Sequence, residues 1–284
     1  MSGTLFIVAT PIGNLEDITQ RALRVLREVD LIACEDTRHT QKLLNHFGIS
    51  TRTISYHEHN ERERTDKLCQ LLKQGRSVAL VSDAGTPLIS DPGFRIVNAA
   101  VERGINVVPI PGAAALVSAL AASGLPTDQF LFAGFLPART AARRAKFEEL
   151  RTVPATLIFY EAPHRIATAL KDAAEVLGNR QAVIARELTK LHEEILRGSL
   201  RELAEQFALR TAKGEIVLLI GAESSASATQ VEAASPARLI ERIHELEQQG
   251  TDSKEALKVA ARELGIKRAE AYRMMVAQKK RRSK

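Results

Sequence analysis

Short apolar runs alternate along this chain with longer segments in which apolar residues recur every three or four positions. In the first part of the chain the runs predict strands at residues 5–9, 31–34, 53–56, 77–82 and 107–110. Helical periodicity separates most of them, as in residues 18–28, where Asp17 is the expected N-terminal cap. This alternation is typical of an α/β protein with a doubly wound sheet.

A second series of strands follows the small-residue helix expected at residues 113–122 and the breaker Gly124-Leu125-Pro126. Its apolar runs are residues 130–135, 155–160, 182–186, 195–198 and 215–221. We therefore expect two αβ domains, residues 1–120 and 121–225, with a hinge near residues 120–128 and a ligand cleft between them. Serine, alanine and threonine then interrupt the periodicity, which predicts a linker at 226–235 and a small C-terminal helical domain at 236–284.

The segment from Ser82 to Gly93 contains more turn-forming residues than a turn requires. It places two glycines, two prolines and two aspartates directly after an apolar run that reads as a buried strand. Open α/β sheets bind ligands at the carboxyl ends of such strands. Because a turn needs about four residues, we expect this loop to form part of a ligand site.

Charge is distributed unevenly between the two ends of the 284-residue chain, whose formal net charge is +6. Residues 235–284 contain 13 Lys and Arg against 7 Asp and Glu, while the preceding residues contain 27 of each sign. This pattern predicts a neutral body that carries catalysis or binding and a basic appendage suited to a polyanion.

Other patterns argue against several classes of protein. Cys34 and Cys69 have no disulfide or zinc spacing, no leader precedes Thr4, and no apolar run approaches the ~20 residues of a membrane helix, so we expect a reduced, cytoplasmic protein. A dinucleotide fingerprint needs three glycines, and the loop at residues 9–14 has one. His57 and His59 would share a strand face, but no further ligand completes a zinc set, so no metal is expected.

The C-terminal region leaves a DNA-binding regulator open as an alternative. An amphipathic helix at residues 253–263, a turn at Gly265-Ile266 and a basic helix at 267–277 follow the helix-turn-helix pattern, although any small helical bundle shares that spacing. The segment 135–144 is either an RNA-facing loop or a solvated helix start. The candidate RNA contacts are Arg139, Arg143, Arg144, Lys267, Arg268, Arg273, Lys279, Lys280, Arg281 and Arg282.

Six ordered blocks of sequence, residues 10–19, 34–38, 82–93, 111–113, 159–165 and 186–190, together resemble the RNA-modifying branch of the tetrapyrrole methylase superfamily. The resemblance covers nearly the whole chain. It implies two αβ domains of the tetrapyrrole methylase type with S-adenosylmethionine folded in the cleft between them, and a homodimer. It also implies methylation of the ribose 2′-hydroxyl of a cytidine in the decoding region of 16S rRNA, in the small ribosomal subunit.

The same resemblance implies a set of cofactor contacts in six loops. They are Pro11, Ala84, Gly85, Thr86, Ile89, Ala114, Ala115, Tyr160, Glu161, Leu188, Gly214 and Glu215. Tetrapyrrole-modifying relatives carry Gly-Asp-Pro where this chain has Gly85-Thr86-Pro87, and Asp83 is the nearest substitute for that acid. The difference makes tetrapyrrole chemistry the less favoured alternative, although a tetrapyrrole or other small-molecule acceptor stays open.

Methyl transfer from a sulfonium requires mainly alignment and exclusion of water. A general base, or a cation beside the incipient alkoxide, would assist the poorly nucleophilic hydroxyl. The candidates for these roles are Glu35, Asp36, Arg38 and His39 after the second strand, and Glu187 and Lys190 across the cleft. We hypothesise that alignment does most of the catalytic work.

Overall fold

The computed structural model describes residues 2–223, 236–263, 271–273 and 275. The linker expected at residues 226–235 lies outside this part of the chain, as does most of the helix expected at 267–277. The chain divides into two compact units, Met1–Glu223 and Ser224–Lys284. Both predicted series of strands belong to the first unit.

The first sheet consists of parallel strands in the order β3-β2-β4-β1-β5. These strands are β1 (Thr4–Val8), β2 (Leu31–Cys34), β3 (Thr53–Ser55), β4 (Val78–Val81) and β5 (Asn106–Ile110). Every residue of β2 and β4 is buried, as expected for inner strands covered on both faces. The chain leaves β1 toward one edge of the sheet and β4 toward the other, so the topological switch point lies between these two strands. Open α/β sheets bind ligands at such a point.

Four helices connect the strands of this sheet. They are α1 (Gln20–Glu28), α2 (Thr37–His46), α3 (Glu61–Lys73) and α4 (Phe94–Glu102). The expectation that Asp17 caps α1 was wrong. The chain is still extended at Thr19, whose hydroxyl accepts the Ala22 N–H at 3.1 Å, while Asp17 closes a short 3₁₀ turn.

The second sheet has the order β6-β7-β10-β8-β9 and is mixed. Its strands are β6 (Phe130–Phe135), β7 (Thr156–Glu161), β8 (Gln181–Arg186), β9 (Glu194–Ser199) and β10 (Ile216–Ile220). β6 and β7 pair in parallel, and the pairs β7–β10, β10–β8 and β8–β9 are antiparallel. The sequence predicted all ten strands, but their directions in the second sheet depend on long-range pairing that periodicity does not report.

One face of the second sheet is covered by three helices, α6 (Thr140–Leu150), α7 (Ile166–Leu177) and α8 (Leu200–Ala208). The other face is covered by α5 (Ala115–Ser123), which the sequence had assigned to the first domain and the hinge. Leu116, Ala119 and Leu120 of α5 pack with buried residues of β7, β8 and β10, and Ile12 of the loop after β1 belongs to the same cluster. This shared core joins the two sheets within one compact unit.

The second unit contains α9 (Pro236–Gln248) and α10 (Ser253–Glu263), and residues 271–273 and 275 are also helical. Leu239, Ile243 and Leu246 of α9 pack against Ala256, Leu257 and Ala260 of α10. Arg242 also donates to Glu263 across the two helices at 2.7 Å. The helical C-terminal domain expected from the sequence therefore has a small core of its own.

Candidate functional site

Three loops at the carboxyl ends of β1, β4 and β5 are tied to one another by hydrogen bonds. Thr10 and Gly85 exchange backbone hydrogen bonds of 2.8 and 3.0 Å, which joins the loop after β1 to the loop after β4. Thr86 then donates from its hydroxyl to the Ala113 carbonyl at 3.2 Å and so reaches the loop after β5. The switch point of the first sheet is therefore a fixed wall of backbone.

Backbone strain is concentrated at this wall and at the loop that faces it. Within the described residues, the non-glycine positions with positive φ are Leu88, Ser90, Glu187 and Thr189. The first two belong to the loop after β4, and the other two belong to the loop after β8. Such conformations cost on the order of 1–3 kcal/mol each and persist where the surroundings hold them, commonly at ligand sites.

Residues 186–190, which we call the β8 loop, contact the loop after β1 through Lys190. Its ammonium lies 3.0 Å from Glu187 Oε1 and 3.1 Å from Glu215 Oε2, and Glu187 Oε1 also accepts the Glu215 N–H at 3.0 Å. These contacts hold the pKa of Glu187 below its usual value. Desolvation lowers the pKa of Lys190, but its two carboxylate partners raise it by more, so both side chains are charged at neutral pH. A Cβ on Gly13 would lie 2.4 Å from Lys190 Cγ, which shows how closely the two loops approach.

A cleft of about 1080 Å³, open to solvent, lies between these loops and the second sheet. We call it the main cleft. Small or apolar residues provide most of its wall, and three acidic residues provide the charge. The lining residues are Ile12, Ala84, Gly85, Thr86, Ile89, Ser90, Asp91, Ala114, Ala115, Phe135, Tyr160, Glu161, Ala162, Pro163, Ala185, Leu188, Gly214, Glu215, Ile216 and Val217.

Glu161 places a buried carboxylate at the wall of the main cleft. One oxygen, Oε1, accepts the Ala162 N–H at 2.6 Å and the Arg165 Nε at 2.7 Å. The other oxygen, Oε2, is buried and has no hydrogen-bond partner among the described residues. Because an unpaired buried carboxylate oxygen is costly, this atom is the natural acceptor for a donor group on a bound molecule.

Asp91 is a second acidic group of the main cleft. Burial, together with the charges of Glu35 and Asp83, raises its pKa to about 6, against a hydrogen bond from Ser82 that lowers it. The carboxyl group therefore ionises close to neutrality and favours a cation beside it. Two aromatic rings complete this side of the cleft: Phe135 is 59% exposed and stands edge-on to Tyr160 with 5.5 Å between ring centroids.

A second cavity, of about 870 Å³, adjoins the main cleft, and we call it the side cavity. Ile12, Ala84 and Glu215 line both spaces, so these residues form the boundary between them. The remaining lining residues are Thr10, Pro11, Gly13, Leu15, His39, Thr40, Lys42, Leu43, Ser82, Asp83 and Lys190.

Most of the residues expected to bind the cofactor come together in the main cleft. Ala84, Gly85, Thr86, Ile89, Ala114, Ala115, Tyr160, Glu161, Leu188, Gly214 and Glu215 line it. Pro11 and Asp83 line the side cavity instead. Asp83 accepts the Asp36 N–H at 3.1 Å and so anchors the start of α2, and its role as the substitute for the acid missing at Thr86 stays a prediction.

The catalytic candidates are more dispersed. Lys190 lines the side cavity, whereas Glu35, Asp36, Arg38 and Glu187 line neither space. Asp36 caps α2 and pairs with Arg38, and these hydrogen bonds lower its pKa, which makes it a poor base. Burial and the charge of Asp83 raise the pKa of Glu35, which lies behind the loop after β4.

The arginine-rich segment at residues 135–144 is mainly structural. Arg143 has a side chain that is 2% exposed and pairs with Asp172 at 2.5 Å, so the expectation that it contacts RNA was wrong. Arg144 pairs with the same carboxylate at 2.8 Å and with Glu175. Arg139 is exposed at the start of α6, and its contact with RNA stays a prediction.

Among the C-terminal candidates Arg273 is exposed on a helical segment, and the others, Lys267, Arg268, Lys279, Lys280, Arg281 and Arg282, lie outside the described residues. His57 and His59 form an edge contact of 5.9 Å between ring centroids. No cluster of three or more metal-ligating side chains occurs in the described part of the chain. None of the helices described there is long and apolar enough to span a bilayer.

Sequence reasoning missed nine of the twenty residues that line the main cleft, among them Ile12, Asp91 and Phe135. Asp91 lies near the end of the loop at residues 82–93, which the sequence indicated as a ligand loop. Nothing at that position predicted that its side chain reaches the cleft. Ile12 appeared only as an apolar residue of the loop after β1, and Phe135 only as the last residue of β6. Nothing in the local pattern distinguishes such residues from ordinary core positions.

The chain matches the family model for Tetrapyrrole (Corrin/Porphyrin) Methylases over residues 4–204. It is 50% identical over 273 residues to "Ribosomal RNA small subunit methyltransferase I" of Halalkalibacterium halodurans, covering 95% of this chain and 93% of that protein. A protein of the same name from Mesorhizobium japonicum is 56% identical over 219 residues, covering 76% of this chain and 74% of that protein.

Solved structures agree on the fold. A diphthine synthase superposes with a TM-score of 0.61 at 19% identity, covering 78% of this chain and 90% of that chain. The uroporphyrin-III-C-methyltransferase of Thermus thermophilus gives a TM-score of 0.55 at 20% identity, with coverage of 77% and 94%. With these matches and the sequence resemblance in agreement, the chain belongs to the tetrapyrrole methylase family.

Proposed function

We propose that this protein transfers a methyl group from S-adenosylmethionine, held in the main cleft, to ribosomal RNA of the small subunit. The acceptor within that RNA is the ribose 2′-hydroxyl of a cytidine in the decoding region of 16S rRNA. The proposal is carried by a cleft of small residues with one unpaired carboxylate oxygen, in a chain that is 50% identical to a protein named for that RNA.

The main cleft suits S-adenosylmethionine in shape and in charge. Its wall of backbone at Ala84, Gly85 and Ala114 admits close approach, and its apolar residues suit an adenine ring. The unpaired Glu161 Oε2 can accept from an amino group, and Asp91 provides a carboxylate for a cationic group. A bound S-adenosylmethionine supplies a methyl group already activated on a positively charged sulfur.

The chain's own residues then align the acceptor and exclude water. With S-adenosylmethionine bound, these residues would hold the ribose 2′-oxygen in line with the methyl group that the sulfonium supplies, and the hydroxyl proton would leave to a carboxylate of the cleft. Lys190 lines the side cavity and remains protonated, so it is suited to stabilise the developing negative charge on that oxygen rather than to accept the proton. Alignment at the boundary between the two spaces supplies most of the rate.

The proposed function is tested by incubating the full chain with labelled S-adenosylmethionine and small ribosomal subunits from cells that lack the activity. Mass spectrometry of RNA fragments then locates the methyl group. Transfer to one cytidine ribose is expected, and free 16S rRNA and a tetrapyrrole serve as parallel acceptors. Transfer to the tetrapyrrole alone, or binding to an operator DNA without any transfer, would overturn the proposal in favour of the corresponding alternative.

We also propose that the protein acts as a homodimer. The residues Phe94 and Val101, seven positions apart on α4, are 76% and 64% exposed and lie on the same side of that helix. Light scattering after size exclusion is expected to give twice the mass of 31.1 kDa. Replacing Val101 by Glu is expected to shift that mass toward the monomer, and a monomeric wild-type chain would contradict the assignment.

A further inference from the structure

The side cavity has apolar residues and two basic side chains in its lining. Pro11, Leu15 and Leu43 supply apolar surface, and Leu15 is 38% exposed. His39 and Lys42, which we call the basic rim, lie three residues apart on α2, so both side chains lie on the same side of that helix, at the cavity. An apolar surface beside the Lys42 cation and the His39 ring suits a nucleotide, since the base is planar and the phosphate is anionic.

Charges of both signs line the side cavity. Lys190 is paired with Glu187 and Glu215, and Asp83 accepts the Asp36 N–H and has no cationic partner among the described residues. The side chains of Lys42 and His39 form no ion pair or hydrogen bond in the described part of the chain. Lys42 is therefore an unpaired cation at a concave surface, which favours an anionic group.

Thr40 adds a buried side chain to the lining of the side cavity. It is 3% exposed, and its hydroxyl makes no hydrogen bond to oxygen or nitrogen in the described part of the chain. Burial raises the pKa of the Cys34 thiol, and a weak hydrogen bond with the Thr40 hydroxyl lowers it. Thr40 therefore contributes to the wall of the cavity with its hydroxyl toward the Cys34 thiol.

The position of α2 is fixed by the loop that also lines the main cleft. Asp83 holds the Asp36 N–H, and Asp36 caps α2 by accepting the Arg38 N–H at 2.8 Å. The basic rim is therefore set at a fixed place relative to Ala84, which lies on the boundary between the two spaces. A group bound in the side cavity faces a group bound in the main cleft across Ile12, Ala84 and Glu215.

We propose that the side cavity binds the RNA nucleotide that is methylated, with its phosphates on His39 and Lys42 and its ribose at the Ile12, Ala84 and Glu215 boundary. This inference rests on the proposed function and specifies where its acceptor binds. Without the space that opens to bulk solvent, the side cavity has a volume of about 320 Å³, which lies at the lower end of the range of roughly 300–1,000 Å³ found for small-molecule sites.

Substitution of the rim in the full chain tests the proposal. Lys42→Gln is expected to raise the KM for small subunits roughly tenfold, which corresponds to the loss of one charged hydrogen bond. The affinity for S-adenosylmethionine, measured by calorimetry, is expected to stay unchanged. Lys42→Arg is expected to restore most of the KM, and adding His39→Asn to Lys42→Gln is expected to raise it further.

Lys73→Gln is the matched control, because Lys73 is exposed at the end of α3 and lines neither space. It removes the same charge, so it separates a local contact from general attraction. An unchanged KM in the His39 and Lys42 variants, or an equal loss in the control, would overturn the nucleotide site while wild-type methylation still supported the proposed function. Absence of methyl transfer to RNA by the wild-type chain would instead reject the proposed function.

Discussion

At the scale of single residues, the site depends on acidic groups that the fold leaves incompletely satisfied. Glu161 uses one carboxylate oxygen to hold Arg165 and its own loop, and the other oxygen remains unpaired at the wall of the main cleft. Asp91 stands on the opposite loop with a raised pKa. Both groups favour a ligand that brings hydrogen-bond donors and positive charge.

Glu161→Gln is expected to weaken S-adenosylmethionine binding by about 10- to 100-fold, because a carboxylate acceptor that takes a charged hydrogen bond is replaced by a neutral amide. Calorimetry measures the dissociation constant, and thermal melting checks that the loss of the Arg165 pair has not unfolded the chain. Glu175→Gln is the control, since Glu175 also pairs with an arginine, Arg144, but lines neither space. Wild-type affinity in Glu161→Gln would contradict the assignment.

S-adenosylmethionine is expected to bind about tenfold more weakly at pH 5 than at pH 7. Asp91 has a pKa of about 6, so it loses the charge that attracts a cation as the pH falls. Calorimetric titration at a series of pH values measures the change. Asp91→Asn should bind more weakly at pH 7 and should lack this pH dependence. A pH profile shared by the variant and the wild type would show that another group titrates.

The same group gives a stability prediction of defined sign. The pKa of Asp91 is raised from 3.8, so its contribution to stability is complete at low pH and is lost as the pH rises through about 6. Asp91→Asn is therefore expected to raise the melting temperature at pH 8 by about 2–4 °C, for about 1 kcal/mol after solvent screening. At pH 4 the variant and the wild type should melt within about a degree of each other.

At the scale of secondary-structure elements, the segment from α6 to α7 shows how a basic motif serves the fold. Arg143 reaches inward from α6 and takes the Asp172 carboxylate of α7, and it also donates to the Pro137 and Ala138 carbonyls at 3.3 and 3.2 Å. This buried network joins two of the three helices that cover one face of the second sheet. Replacing Arg143 should therefore lower the stability of the fold and leave RNA recognition unchanged.

Arg143→Met is expected to lower the free energy of unfolding by about 3–5 kcal/mol, because it leaves the buried Asp172 carboxylate with less of its partner charge. Denaturant unfolding measures the loss, and RNA affinity at a temperature where the variant is folded should stay at the wild-type value. Arg139→Gln, on the exposed start of α6, is the comparison and should leave stability unchanged. Weaker RNA binding by folded Arg143→Met would restore the original expectation for that residue.

At the scale of the whole molecule, the excess charge and the candidate site belong to different units. The main cleft and the side cavity are formed by residues of Met1–Glu223, whereas residues 235–284 carry the +6 excess. A neutral catalytic unit with a basic appendage suits a large anionic substrate, since the appendage supplies affinity that does not depend on the reacting nucleotide.

Replacing Lys279, Lys280, Arg281 and Arg282 by Gln is expected to weaken RNA binding and to reduce the slope of log affinity against log salt by up to about 3. Filter binding over a series of salt concentrations measures this slope. The affinity for S-adenosylmethionine should not change. Exchanging the exposed Lys73 and Lys171 for Gln provides a control on the first unit. An unaltered slope in the C-terminal variant would show that these cations do not contact phosphates.

The sequence by itself determined the ten strands, most helices and the location of the ligand loops. Alternating and continuous apolar patterns indicate which backbone segments can be buried. The loop at residues 82–93 contains glycines, prolines and aspartates that packing does not require, which indicates a ligand site. The resemblance in six ordered blocks also placed eleven of the expected cofactor contacts in one cleft. These properties are local, or carried by motifs, so a linear pattern reveals them.

Only the tertiary structure decided which side chains meet. The direction of the strands in the second sheet, the packing of α5 on that sheet and the burial of Arg143 all depend on partners far along the chain. Asp91 acquires its raised pKa from burial and from the charges of Glu35 and Asp83, and the side cavity exists because α2, the loop after β1 and Lys190 converge. Desolvation and close packing are properties of the assembled fold, and no pattern along the chain records them.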